Sequence, residues 1–138
     1  MRKRQFAFIA LICIWMGVAL GANLVAAPAK FTVTTLSTSQ LVSVGRVQFI
    51  FVGYVELCLA ALGGLALIWS NVRETKGLSA TIALFGAALL LLLAQRFAIH
   101  PQLISDPSGW LHKAYVVMEV AKVICLAGLV GLYARKLQ

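Results

Sequence analysis

The sequence predicts an all-α, polytopic membrane protein, a single domain over residues 1–138 folded as a four-transmembrane-helix bundle. Three observations carry this. Four apolar runs, at about 6–27, 41–69, 78–97 and 109–133, are each long enough to cross a hydrocarbon layer of roughly 30 Å. The chain is 62% hydrophobic and only 12% charged, with a mean hydropathy of +0.95, whereas soluble domains are nearer half apolar and about a quarter charged. The net charge of +8, from 12 Lys and Arg against 4 Asp and Glu, gathers largely at the chain ends and in one loop. That pattern sets membrane orientation and excludes nucleic acid as the expected partner.

The first run follows the basic Met1-Arg2-Lys3-Arg4 and is free of charge from Phe6 to Ala27. A basic start, an apolar stretch and small residues before Pro28 also describe a signal peptide. The run is long enough to span, so it is read as the first helix, with Pro28 ending or kinking it. Gly17 and Gly21 form a GxxxG pair that permits close helix approach. Ala29 to Gln40 reads as a Thr/Ser-rich loop.

The second run, 41–69, contains Arg46, Gln48 and Glu56. A charged turn with Arg73, Glu74 and Lys76 leads to the third run, which carries no charge before Gln95-Arg96. Ala98 to Ser108 reads as a loop in which Pro101, Pro107 and Gly109 stop the third helix and Ser108 is placed to cap the fourth. Trp110 and Tyr133 bracket the last run, about 34 Å apart at helical rise, as an aromatic residue at each interface would. Lys and Arg number three at the N-terminus, two in the second loop and two in the C-terminal tail, against one in the first loop and none in the third. Both termini are therefore expected in the cytoplasm of a bacterial inner membrane. Cys13, Cys58 and Cys125 lie in three different runs without metal-binding spacing. They read as small buried hydrophobes, unpaired.

The fourth run holds more ionisable groups than lipid tolerates. His112, Tyr115, Glu119 and Lys122 fall at i, i+3, i+7 and i+10, one face of a helix. Lipid on that face would be costly, so the stripe is expected to look inward. Measured from the outer surface at helical rise, Glu119 lies roughly 12 Å deep, Lys122 roughly 17 Å and Glu56 roughly 20 Å. Depth pairs Glu56 with Lys122, and Glu119 with Arg46 or Arg96, and both acids are expected to point inward within reach of Arg46, Arg96 or Lys122. The candidate polar site is accordingly Arg46, Glu56, Arg96, His112, Tyr115, Glu119 and Lys122. Such a set is either glue between helices or a polar site open to the outside. An excess of cations, with Lys113 among them, suits an anion. His100 and His112 flank the third loop. They are candidate haem or copper ligands, or two histidines at the head-group level. A metal site usually needs more ligands, and no cofactor is predicted. No nucleophile, paired-carboxylate or phosphate-cradling motif is present.

Several short patterns resemble a known group. They are Trp15-x-Gly17, Ala27-Pro28-x-x-Phe31, Gly45-Arg46-x-x-Phe49 with Glu56, Gln95-Arg96-Phe97-x-x-x-Pro101, and Leu111-His112-x-x-Tyr115-x-x-x-Glu119. Across nearly the whole chain they resemble a family of small bacterial four-helix inner-membrane proteins of unknown function, distantly similar to the copper-resistance D type of membrane protein. The resemblance implies four helices with polar residues near the outer face and brings no activity. The histidine set that would mark a copper protein is not visible. The Glu-Arg-x-x-Arg-Ala-x-x-Asn signature of the glutathione-using four-helix membrane enzymes is absent.

Two functions follow as expectations. One is an accessory or assembly subunit packing in the bilayer against other membrane subunits or a second copy. It draws on small size and the missing catalytic motif. The alternative is a protein that binds or conducts a proton, anion, metal, haem or quinone through the outer-half polar site.

Overall fold

The computed structural model describes residues 3–69, 77–102 and 109–134. The charged turn with Arg73, Glu74 and Lys76, the proposed Ser108 cap and the Arg135-Lys136 tail lie outside these residues. Four helices, each long and apolar enough to cross a membrane, account for the described chain, and no strand occurs among the described residues. Helix α1 covers 3–32: regular from Lys3–Val18, π-helical over Ala19–Ala26, then short α and 3-10 turns at Ala27–Ala29 and Lys30–Thr32. Helix α2 is Thr38–Trp69. Helix α3 is regular over Leu78–Leu93, π-helical over Ala94–Ile99 and ends with His100–Gln102. Helix α4 is Trp110–Ala134.

Two expected stops are not stops. Helical structure runs through Pro28 to Thr32 and through Pro101 to Gln102. The reason is shared. Proline removes one backbone donor and clashes with the carbonyl four residues back. In both helices the proline is the second residue after a π-helical segment, whose wider turn accommodates it. The first connection shrinks to a few residues around 33–37, closed by a reciprocal cap. The Ser37 backbone N–H donates to Gln40 Oε1 at 2.8 Å, and the Gln40 N–H donates weakly to Ser37 Oγ at 3.4 Å. This Ser-x-x-Gln is a capping box. Before α3, Gly77 takes a left-handed conformation (φ 102°). Its carbonyl accepts the Thr81 hydroxyl at 3.1 Å.

The helices alternate in direction. Helix α1 packs on α2 and α4, and α4 packs on α3, while the backbones of α2 and α3 come close at few points. At the end that holds the N-terminal residues, Phe8, Ile12, Trp15, Phe85, Leu126, Leu129 and Tyr133 form a closed apolar core with Ala60, Ala66 and Ala88. Its rings meet at 5.5 Å (Phe8–Tyr133), 6.1 Å (Trp15–Phe85) and 6.2 Å (Phe8–Phe85) between centroids. Tyr133 belongs to this core and is not an interfacial marker, while Trp110 is exposed. Large side chains such as Phe51, Leu65, Ile68, Leu90 and Ile124 point outward, as lipid-facing positions do. Cys13 and Cys58 are exposed and Cys125 half-buried, all three unpaired. Two of them therefore face outward instead of filling the core.

Close packing uses other glycines than the GxxxG pair. A Cβ at Gly17 or Gly21 would meet nothing within 4 Å, whereas one at Gly63 would lie 3.2 Å from the Phe85 ring and one at Gly128 3.2 Å from Leu84. Gly63→Leu is expected to destabilise the bundle by about 1–3 kcal/mol through overpacking, and Gly17→Leu to be near neutral. Thermal unfolding in detergent compares them, and equal losses would contradict this packing.

Candidate functional site

The Lys122 ammonium on α4 is fully buried. It donates to Glu56 of α2 at 2.7 Å (Oε2) and 2.9 Å (Oε1) and to Gln95 Oε1 of α3 at 3.2 Å. Its third neighbour is Glu119 Oε2, one turn earlier on α4, at 3.0 Å. Three N–H donors thus face three residues from three helices, the full donor capacity of a lysine. The Gln95 amide completes the network by donating to Glu119 Oε2 at 2.9 Å and to the Tyr115 carbonyl at 3.2 Å. Trp15 of α1 lies beside Glu56, although its indole nitrogen makes no hydrogen bond of acceptable geometry.

The expected pairing of Glu56 with Lys122 is present, and Glu119 also turns inward. Its expected partners are corrected. Neither Arg46 nor Arg96 reaches Glu119. Among the described residues both ion pairs belong to Lys122. The reason is reach: Lys122 lies three residues from Glu119 on the same face, whereas Arg96 is drawn aside to stack on the Tyr54 ring, 4.5 Å from its centroid. The cluster therefore holds two carboxylates against one ammonium. Its one unsatisfied carboxylate oxygen is Glu119 Oε1.

Beyond the cluster, towards the first and third connections, the helices part around a cavity of about 560 Å³. Apolar walls come from Leu24, Ala27, Pro28, Phe31, Val42, Phe49 and Val116. Its polar groups are Asn23, Lys30, Arg46, His100, His112, Tyr115 and Glu119. A cavity of this size fits a small molecule. The Lys30 ammonium sits against Gly45, where a Cβ would collide with it, and 5.3 Å from the ring centroids of both Phe31 and Phe49. Phe49 in turn packs on Tyr115, centroids 5.2 Å apart. Burial, then the guanidinium groups of Arg96 and Arg46, hold His100 below the usual imidazole range. His100 is thus neutral near pH 7, and the Lys and Arg side chains on the cavity wall are Lys30 and Arg46. His100 and His112 border one cavity, but no group of three or more potential metal-ligating side chains occurs among the described residues.

Of the sequence candidates, Glu56, Glu119 and Lys122 meet in the cluster, with Tyr115 buried above it; Arg46 and His112 border the cavity but are exposed, so the inward stripe does not extend to His112 at the end of the helix. Arg96 stands apart from that cavity. Sequence reasoning missed three residues. Gln95 is 2% exposed and central to the cluster, and its signal was an amide inside an apolar run. Asn23, the single amide in 6–27, is 6% exposed with neither side-chain polar atom partnered. Lys30 was assigned to a loop that is helical. No protein family, curated protein or solved structure matches the chain.

Removing Lys122 leaves two buried carboxylates uncompensated, while removing Glu56 leaves a one-to-one pair. Lys122→Met is expected to cost about 3–5 kcal/mol, and Glu56→Gln clearly less. Adding Glu56→Gln and Glu119→Gln to Lys122→Met should restore part of the loss. Unfolding midpoints of the four proteins check the ordering.

Proposed function

We propose that this protein is a small-molecule binder of the bacterial inner membrane, whose cavity opens to the outer face and takes an amphipathic ligand bearing an anionic group. The observation that carries this reading is one cavity with apolar walls and two unpaired cations, Lys30 and Arg46, on its lining. Apolar walls with a few placed polar groups are the usual make-up of a ligand site, and guanidinium or ammonium groups at head-group depth suit phosphate or carboxylate. Binding is favoured over conduction because the Lys122 cluster and then the Phe8–Trp15–Phe85–Tyr133 core close the bundle behind the cavity. The histidines belong to the same wall as hydrogen-bonding groups.

The outward orientation rests on the Lys and Arg asymmetry of the loops. The accessory-subunit reading rests on small size and the missing catalytic motif, and the outward-facing apolar side chains that would serve it are equally suited to lipid. The two readings part on purification. A subunit would carry a stoichiometric protein partner through mild detergent. A binder would be isolated alone and still take a ligand.

With the protein in nanodiscs, dodecyl phosphate is expected to bind more tightly than dodecanol. Arg46→Gln should weaken the phosphate probe by roughly tenfold to a hundredfold, the worth of a hydrogen bond to a charged group, and leave dodecanol unchanged. Equal binding of both probes would refute the anionic preference. A Thr35→Cys probe should react with a membrane-impermeant thiol reagent in intact spheroplasts. Reaction only after permeabilisation would reverse the orientation.

A further inference from the structure

The cavity wall holds Lys30 and Arg46 with no acidic partner, while the cluster behind it sets two carboxyl groups against one ammonium. Glu119 belongs to both. Its Oε2 is occupied by Lys122 and Gln95, and its Oε1 has no partner, in a residue that is fully buried and borders the cavity. The same cavity is bordered by Asn23 of α1, 6% exposed, with Oδ1 and Nδ2 both unpartnered. Buried polar atoms are rarely left unsatisfied, and an unpaired buried carboxylate oxygen is costly. Two orphaned acceptors bordering one cavity, one of them on a carboxyl group, favour a donor that carries positive charge.

We infer that the ligand is a zwitterion. Its phosphate or carboxylate sits with Lys30 and Arg46, and its primary ammonium is received by Glu119 Oε1 and Asn23 Oδ1. A primary ammonium brings three donors, enough for both acceptors. It also places a positive charge beside the cluster's second carboxyl group, Glu119. A quaternary ammonium brings charge without donors and leaves both acceptors unsatisfied. The chemistry specified is a primary ammonium close to an anion on an apolar body, as in an aminophosphate lipid head group or a free aminophosphate.

This inference deepens the binding reading and rests on it. The test keeps the two separable. In phosphatidylcholine nanodiscs, dodecylphosphoethanolamine is expected to bind the wild-type protein about tenfold more tightly than dodecyl phosphate, the worth of one charge-assisted hydrogen bond. Glu119→Gln leaves Lys122 with Glu56 as a one-to-one pair, so the variant is expected to fold. It should abolish that preference while dodecyl phosphate binds as well or better, because a like charge has gone. Equal affinity of the two probes for the wild type overturns the zwitterion and leaves the anion site standing, a comparison that needs no variant. Binding of neither probe overturns both readings. A preference that survives in Glu119→Gln removes Glu119 as the acceptor and overturns the assignment. Native mass spectrometry after exchange into phosphatidylethanolamine or phosphatidylglycerol nanodiscs, beside titration with phosphoethanolamine, distinguishes the sources. A retained phosphatidylethanolamine identifies a lipid, and binding of phosphoethanolamine alone identifies the free compound. Retention of phosphatidylglycerol in preference to phosphatidylethanolamine overturns the ammonium.

Discussion

One ammonium group organises this bundle. Lys122 stands where water does not reach, and its three donors are shared among a carboxylate on α2, an amide on α3 and a carboxylate on its own helix. Lipid supplies no hydrophobic drive for helix association, so packing and interhelical polar contacts hold such bundles together. A buried charge tolerates little displacement, because losing any partner leaves it uncompensated in a medium that screens poorly. The relative rotation of α2, α3 and α4 is therefore pinned at this point. Helices α2 and α3, whose backbones come close at few points, are linked by it as well as by the Gly63–Phe85 and Tyr54–Arg96 contacts.

The layers along the bundle axis follow from that pin. On one side the helices are drawn together around the aromatic rings of the apolar core. On the other side, polar and bulky residues hold the helices apart: Phe49 packs on Tyr115, Lys30 lodges against Gly45, and Gln48 Nε2 donates to the Ala22 carbonyl at 2.7 Å. The cavity is the space those spacers leave.

Much of this was legible in the residues. Four apolar runs gave four helices, and the spacing of Tyr115, Glu119 and Lys122 marked the buried face of α4. Depth along the helices paired Glu56 with Lys122 correctly. Depth failed for Glu119, because two arginines at suitable height competed on paper with a lysine one turn away, and height says nothing about lateral direction. The cavity was not legible, since it is made by the angle between helices and by prolines that do not break them. Lys30 was lost for that reason: a Thr/Ser-rich stretch after Pro28 resembles a loop by composition, yet its first residues complete a helix.

The wider turns ahead of Pro28 and Pro101 have a consequence for how this chain can vary. Each residue of an α-helix advances about 100° around the axis, and each residue of a π-helical turn advances less. Everything beyond such a turn is re-phased relative to a straight helical wheel. Lys30 lies beyond the first of these turns and His100 beyond the second, so both owe their azimuth to backbone winding as much as to their place in the sequence. The lining of the cavity is thus set by residue count as well as residue identity. A one-residue deletion within 19–26 or 94–99 would leave every side chain chemically intact and still swing one wall of the pocket toward lipid. Length in these two segments is under tighter constraint than composition.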